Sequence, residues 1–129
     1  MILLEHEAKR MLATAGLPVP DSFLVRTASD AEQAELPLPF PLVVKAQIPK
    51  GGRGKAGGIR IVEDRAGYDQ AVMQLLGSEL LGCRVGSLLI EAKQSMEHEL
   101  YLSIVVNRNS GVVELLARRS GGVEVEQAA

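Results

Sequence analysis

Lys45, Arg53 and a cluster of glycines supply the residue types and spacing that can hold an anion. Leu42-Val-Val-Lys45-Ala and Ile59-Arg-Ile-Val62 are short apolar, β-branched runs. Between them lie Gly51, Gly52, Gly54, Gly57 and Gly58, with Lys50, Arg53 and Lys55. No acidic residue occurs between Glu35 and Glu63, although the whole chain carries a net charge of −2. An acidic protein that clears one segment of carboxylates creates a local positive potential there. Glycines let backbone N–H groups approach a phosphate without obstruction by Cβ, and lysine and arginine supply full charge.

Three glycine-rich phosphate motifs compete for this loop. Gly52-Arg-Gly54-Lys-Ala-Gly57 matches G-x-G-x-x-G, but that fingerprint works where the glycines open a helix facing a pyrophosphate. Here Ile-Arg-Ile-Val62 follows, and it alternates like a strand. A P-loop requires Ser or Thr after its lysine, and Ala56 follows Lys55. What remains is a glycine-rich β-hairpin flap over phosphates with a lysine on the adjoining strand, an arrangement also used by protein kinases. A solvated surface hairpin is the plain alternative, and an Arg-Gly loop for RNA is a third.

The elements that must position these residues are legible around the loop. Leu4, Ala8, Met11, Leu12 and Ala15 form a helical stripe over residues 3–15, with Gly16 and Pro18 as its stop. Ser22 to Arg26 reads as a strand, and Ser29-Asp-Ala-Glu32 has the letters of a capping box opening a short helix. Asp64 caps a helix over 65–76 that turns Ala71, Val72, Leu75 and Leu76 inward. Leu88 to Glu91 is a buried strand. Residues 93–98 form a loop, and Glu99–Asn107 with Val112–Ala117 form a hairpin. The expected class is α+β, with a mixed or antiparallel sheet and flanking helices.

Composition excludes other classes. The chain has 129 residues, no Trp, two Tyr and two Phe, so stacking platforms for single-stranded nucleic acid are few. Nucleic acid and anionic membrane are not expected partners of a chain with this charge. No 18-residue apolar run and no signal-peptide pattern occur. The single cysteine, Cys83, reads as a half-buried hydrophobe and fits a reducing compartment, cytoplasm or organelle matrix. His6, between Glu5 and Glu7, reads as solvated. Glu91 ends an apolar strand, where it either accepts from a ribose hydroxyl or adenine amino group or turns out to solvent. Glu99 follows a polar loop.

Several of these segments together resemble the β subunit of succinyl-CoA synthetase. They are Glu-x-x-Ala-Lys9, Gly-Leu-Pro-x-Pro20, Leu-Val-Val-Lys45-Ala-Gln, the 51–58 glycine loop, Ile-Glu91-Ala, Glu99-Leu-Tyr-Leu-Ser-Ile-Val-Val-Asn-Arg108 and Gly-Gly-Val-Glu-Val-Glu126. Malate–CoA ligase and citryl-CoA synthetase large subunits share much of the pattern. The resemblance implies the N-terminal portion of an ATP-grasp domain. Residues 20–92 would form the first subdomain, and 1–19 with 93–129 the start of a truncated second.

The implied reaction joins succinate to CoA with ATP, releasing ADP and phosphate, through an acyl phosphate and a phosphohistidine on the α subunit. The nucleotide-binding residues it implies are Lys45, Gly52, Arg53, Gly54, Glu91, Gln94 and Glu99. None of these is cast as catalytic. Pro20 stands where guanine-specific relatives tend to carry Gln, pointing to ATP and ADP rather than GTP. The opening Leu4-Glu-His-Glu-Ala-Lys9, Gln94 in place of Thr, Pro49 in place of His and a shortened 77–87 segment depart from the family pattern. Mg²⁺ ligands belong to the second subdomain, so this chain alone is expected to give no turnover; an open half-domain exposes apolar surface, so self-association is expected too. The alternative is a non-catalytic nucleotide-binding or interaction module.

Overall fold

The computed structural model describes residues 2–32 and 35–119, and the Gly121–Glu126 tail lies outside the described residues. The chain divides into two units, Met1–Gln94 and Ser95–Ala129. In the first, β1 (Ser22–Val25), β2 (Leu42–Ala46), β3 (Ile59–Val62) and β6 (Leu88–Ala92) form one sheet in the order β1-β6-β2-β3. Every pairing is antiparallel. The α+β class expected from sequence is the one observed, and the antiparallel option is realised.

Register decides which side chains share a face. Directly paired residues in antiparallel strands point the same way, and alternation carries the next residue to the other side. Val25, Leu42, Val44, Ala46, Val62, Leu88 and Ile90 therefore share one face, and all are buried. Helix α3 (Arg65–Leu75) covers that face with Tyr68, Ala71, Val72 and Leu75, spaced three and four apart. Leu24, Val43, Lys45, Ile59, Ile61, Leu89 and Glu91 share the opposite face.

Local signals set the helix ends. The Asp64 carboxylate accepts from the Gly67 N–H at 2.8 Å, the cap expected from sequence. Helix α2 (Ala28–Ala31) is capped differently from the sequence reading: the box is Thr27 and Asp30, not Ser29 and Glu32. The Thr27 hydroxyl accepts from the Asp30 N–H, and the Asp30 carboxylate accepts from the Thr27 and Arg26 N–H groups. Thr27 wins because it is the last extended residue, so its side chain is the one that reaches the free N–H groups. The 77–87 segment carries a small ribbon that the sequence reading left out, β4 (Glu79–Leu80) with β5 (Cys83–Arg84).

Helix α1 (Glu5–Thr14) forms where the stripe predicts a helix but does not bury that stripe. Met11 and Leu12, on the apolar stripe, are 59% and 45% exposed, and no residue of the helix is buried. The helix instead meets the first unit through Glu5, His6 and Lys9. Helix α1 lies within the first unit, Met1–Gln94.

The second unit contains β7 (Tyr101–Asn107) paired with β8 (Val112–Arg118). Asn107 Oδ1 accepts from the Asn109 and Ser110 N–H groups, and Gly111, at φ 69°, completes the turn. Glu99 precedes the strand, which begins at Tyr101. Leu102, Ile104, Val106, Val113 and Leu115 are all exposed.

The Tyr68 ring is fully buried, yet its hydroxyl has no hydrogen-bond partner among the described residues. Burial raises its pKa above the ordinary tyrosine value. A buried hydroxyl without a partner costs stability, while the ring supplies packing. Tyr68→Phe is expected to match or exceed wild-type stability in urea unfolding, whereas Tyr68→Ala is expected to lose about 3–5 kcal/mol.

Candidate functional site

The glycine loop joins β2 to β3 as expected and is closed on itself. Gly58 N–H donates to the Arg53 carbonyl at 2.8 Å, and the Gly58 carbonyl accepts from Ala46 N–H at 2.7 Å. Gly52 and Gly57 adopt positive φ, 76° and 77°, where a Cβ is disfavoured. A Cβ on Gly58 would come within 2.4 Å of the Leu80 side chain and 3.2 Å of the Arg53 carbonyl. The loop fold brings Arg53 back over β2, where its guanidinium donates to the Ala46 carbonyl at 2.9 Å.

Strand register brings Lys45 and Glu91 together. Glu91 is paired directly with Val43, so Lys45, two residues along on the same face, is its diagonal neighbour. Lys45 Nζ pairs with Glu91 Oε2, and Lys9 Nζ with Glu91 Oε1. Glu91 is only 3% exposed. The solvent-facing alternative for Glu91 is therefore overturned: its position mid-sheet buries it, and paired cations offset the desolvation.

Helix α1 supplies the second carboxylate. Glu5 Oε1 lies 2.9 Å from Lys45 Nζ and 3.1 Å from Lys9 Nζ, while Glu5 Oε2 lies 2.7 Å from the Arg53 guanidinium. Lys9, Lys45 and Arg53 against Glu5 and Glu91 leave a single positive charge. Burial alone would raise the Glu5 carboxyl, but the hydrogen bonds from Lys45 and Arg53 and the charges of Lys45 and Lys9 hold it at about 2. Burial likewise pulls the Lys45 ammonium down, and the bonds to Glu91 and Glu5 raise it above its usual value.

Gln47 fastens the same helix. Its buried side-chain oxygen accepts from the His6 backbone N–H at 3.1 Å and lies 3.2 Å from His6 Nδ1. Its amide donates to the Lys45 carbonyl at 3.2 Å. His6 is half-buried and engaged, not solvated as its acidic flanks implied.

The structure thus unites Lys45, Arg53 and Glu91, with Gly52 and Gly54 flanking Arg53. Gln94 lies exposed beyond β6, its amide on the Ala92 carbonyl at 3.3 Å. Glu99 belongs to the second unit. Two other loop-region cations go elsewhere: Lys50 donates to the Leu81 carbonyl at 2.8 Å, and Arg60 bonds Gln74 and the Gly57 carbonyl. Sequence reasoning gave Glu5 and Lys9 no role. Their i, i+4 spacing was the available signal.

A hollow of about 440 Å³ beside the cluster is lined by Ile2, Leu3, Glu5, Ile48, Lys50 and Arg53 among others. A larger one, about 570 Å³, lies between α2 and α3 and contains none of the cluster residues. A net-positive cluster with a planar guanidinium and an ammonium suits a polyphosphate. Among the described residues no three His, Cys, Asp or Glu side chains gather to hold a metal ion.

The family model for the ATP-grasp domain matches residues 2–129. The chain belongs to the ATP-grasp family. Relatives include the "Succinate--CoA ligase [ADP-forming] subunit beta" of Halorubrum lacusprofundi, 41% identical over the whole of this chain and 34% of its own length. The same-named subunit of Acidithiobacillus ferrooxidans is also 41% identical, with all of this chain and 35% of that protein covered. This ATP-grasp chain therefore spans about a third of the length of these relatives. PH1788 from Pyrococcus horikoshii superposes with a TM-score of 0.72 at 21% identity, over 97% of this chain and 55% of that one. A dinucleotide-forming acetyl-coenzyme A synthetase of Ca. Korarchaeum cryptofilum, solved with coenzyme A and Ca-AMPCP, gives 0.69 at 21% identity over 92% and 54%. These two likenesses establish the fold.

The depressed Glu5 pKa makes the folded state less stable in acid. A carboxyl whose folded pKa lies below its ordinary 4.5 contributes stability above that value and loses it as pH falls toward 2. Unfolding free energy is expected to fall as pH drops from about 4.5 to 2. Chemical denaturation at stepped pH should show a shallower fall for Glu5→Gln.

Proposed function

We propose that this chain is the nucleotide-binding portion of an acid–CoA ligase β subunit. The observation that carries the reading is the convergence of Lys45 and Arg53 beside a glycine loop, on a sheet face that also presents Val43, Ile59 and Ile61. Lys45 and Arg53 face the phosphates, with the Gly52 and Gly54 backbone approaching them closely. Glu91 serves the nucleotide by fixing the direction of Lys45, since each of its oxygens already engages a cation. Glu99 is assigned to the base and ribose, and Gln94 to a polar contact with the nucleotide.

The names of the relatives support a wider proposal for the longer protein: succinate, CoA and ATP are converted to succinyl-CoA, ADP and phosphate together with an α subunit. In that protein residues 20–92 would form the first subdomain, and 1–19 with 93–129 would begin the second. ATP and ADP are the nucleotides proposed, with Mg²⁺ held by residues other than the described ones. Cytoplasm or organelle matrix is the proposed compartment, and among the described residues no helix is long and apolar enough to cross a membrane. The apolar side chains of β7 and β8 favour self-association of this chain.

Thermal unfolding with ADP or ATP, with and without Mg²⁺, tests the nucleotide reading. A ligand that binds only the native state adds about 2.7 kcal/mol at a hundredfold excess over Kd. A nucleotide-dependent rise in Tm is expected, and it should vanish in Lys45→Ala. A folded wild-type chain with no rise, or an undiminished rise in Lys45→Ala, contradicts this assignment.

A further inference from the structure

Glu5 is held where a bound anion would have to be. Its two oxygens bridge Lys45, Lys9 and Arg53 at 2.7–3.1 Å, the distances at which phosphate oxygens engage the same groups. A carboxylate and a phosphate cannot both take the facing N–H groups of Lys45 and Arg53. The element carrying Glu5 is also weakly tied: no residue of α1 is buried, and its bonds to the sheet and loop run through Glu5, His6 and Lys9. Packed apolar surface resists piecemeal release, whereas ion pairs exchange one anion for another.

We propose that Glu5 is an internal counter-anion, which holds Lys45 and Arg53 side by side and yields them to phosphate oxygens when a nucleotide binds. Displacement removes two of Glu5's cationic contacts, so α1 loosens from the sheet as the ligand enters. Glu5 is then a specificity residue: only a ligand with enough negative charge to outcompete a carboxylate opens the cluster. Polyphosphates qualify, and a monoanion of carboxylate strength does not. The proposal rests on the nucleotide reading for the identity of the ligand, but not for the anion exchange itself.

Calorimetric titration of wild type and Glu5→Gln with inorganic tripolyphosphate and with ADP, at two salt concentrations, tests the exchange. Removing one competing charge is expected to tighten binding of both probes about tenfold and to steepen the salt dependence. Wild type gives a second readout that needs no variant: amide hydrogen exchange over residues 5–14 should rise when ADP binds. With ADP bound to wild type, equal or weaker binding by Glu5→Gln, or α1 amides exchanging no faster than in the free protein, overturns the counter-anion role while leaving nucleotide binding intact. Tighter tripolyphosphate binding by Glu5→Gln, with no ADP binding to either protein, keeps the exchange and overturns the nucleotide reading. No binding of either probe to either protein overturns both.

Discussion

The Glu91 carboxylate sits in the middle of an antiparallel sheet with almost no access to solvent, and its charge must be neutralised there. Moving a carboxylate out of water costs several kcal/mol, which only close, well-directed cations offset. Lys45 reaches it because strand register makes the two residues diagonal neighbours. Lys9 reaches it because α1 lies over the same face. Once those cations are committed, Glu5 is drawn in by the remaining positive charge, and Arg53 follows from the glycine loop. One buried charge thereby joins four separated parts of the chain: helix, strand β2, loop and strand β6.

This constraint explains why α1 lies with its polar side toward the protein. An amphipathic helix ordinarily buries its apolar stripe. Here Glu5, His6 and Lys9 have partners that no apolar side chain would satisfy, and Met11 and Leu12 remain on the surface. The buried amide of Gln47 reinforces the choice, since its oxygen needs a donor and the His6 N–H supplies one. The two faces of the sheet accordingly do different work. The α3 side is an apolar core, and the α1 side is a charge cluster edged by Val43, Ile59 and Ile61.

Much of the frame was legible in the sequence, because period-two and period-3.6 patterns and glycine placement are local signals. The β2–loop–β3 unit, the Asp64 cap and α3, β6 and the β7–β8 hairpin follow from pattern alone, and Lys45, Arg53 and Glu91 stand out by residue type and place. Three things were not legible, each for a physical reason. The direction of α1 depends on partners forty and more residues away, so its own periodicity misleads. Spacing alone lets Glu91 face either solvent or ligand, because it does not reveal that β6 lies between β1 and β2. The Thr27 box lost to Ser29 because both segments carry hydroxyl and carboxylate groups at the right spacing, and the strand end decides between them.

Buried Glu91 and Lys45 are energetically coupled on this reading of the cluster, and their coupling organises the site. A double-mutant cycle with Glu91→Gln, Lys45→Met and the pair, followed by urea unfolding near neutral pH, measures it directly. A coupling of about 1 kcal/mol or more is predicted, with the double variant destabilised by less than the sum of the singles. Additivity within about 0.3–0.5 kcal/mol, the behaviour of independent sites, would contradict the account.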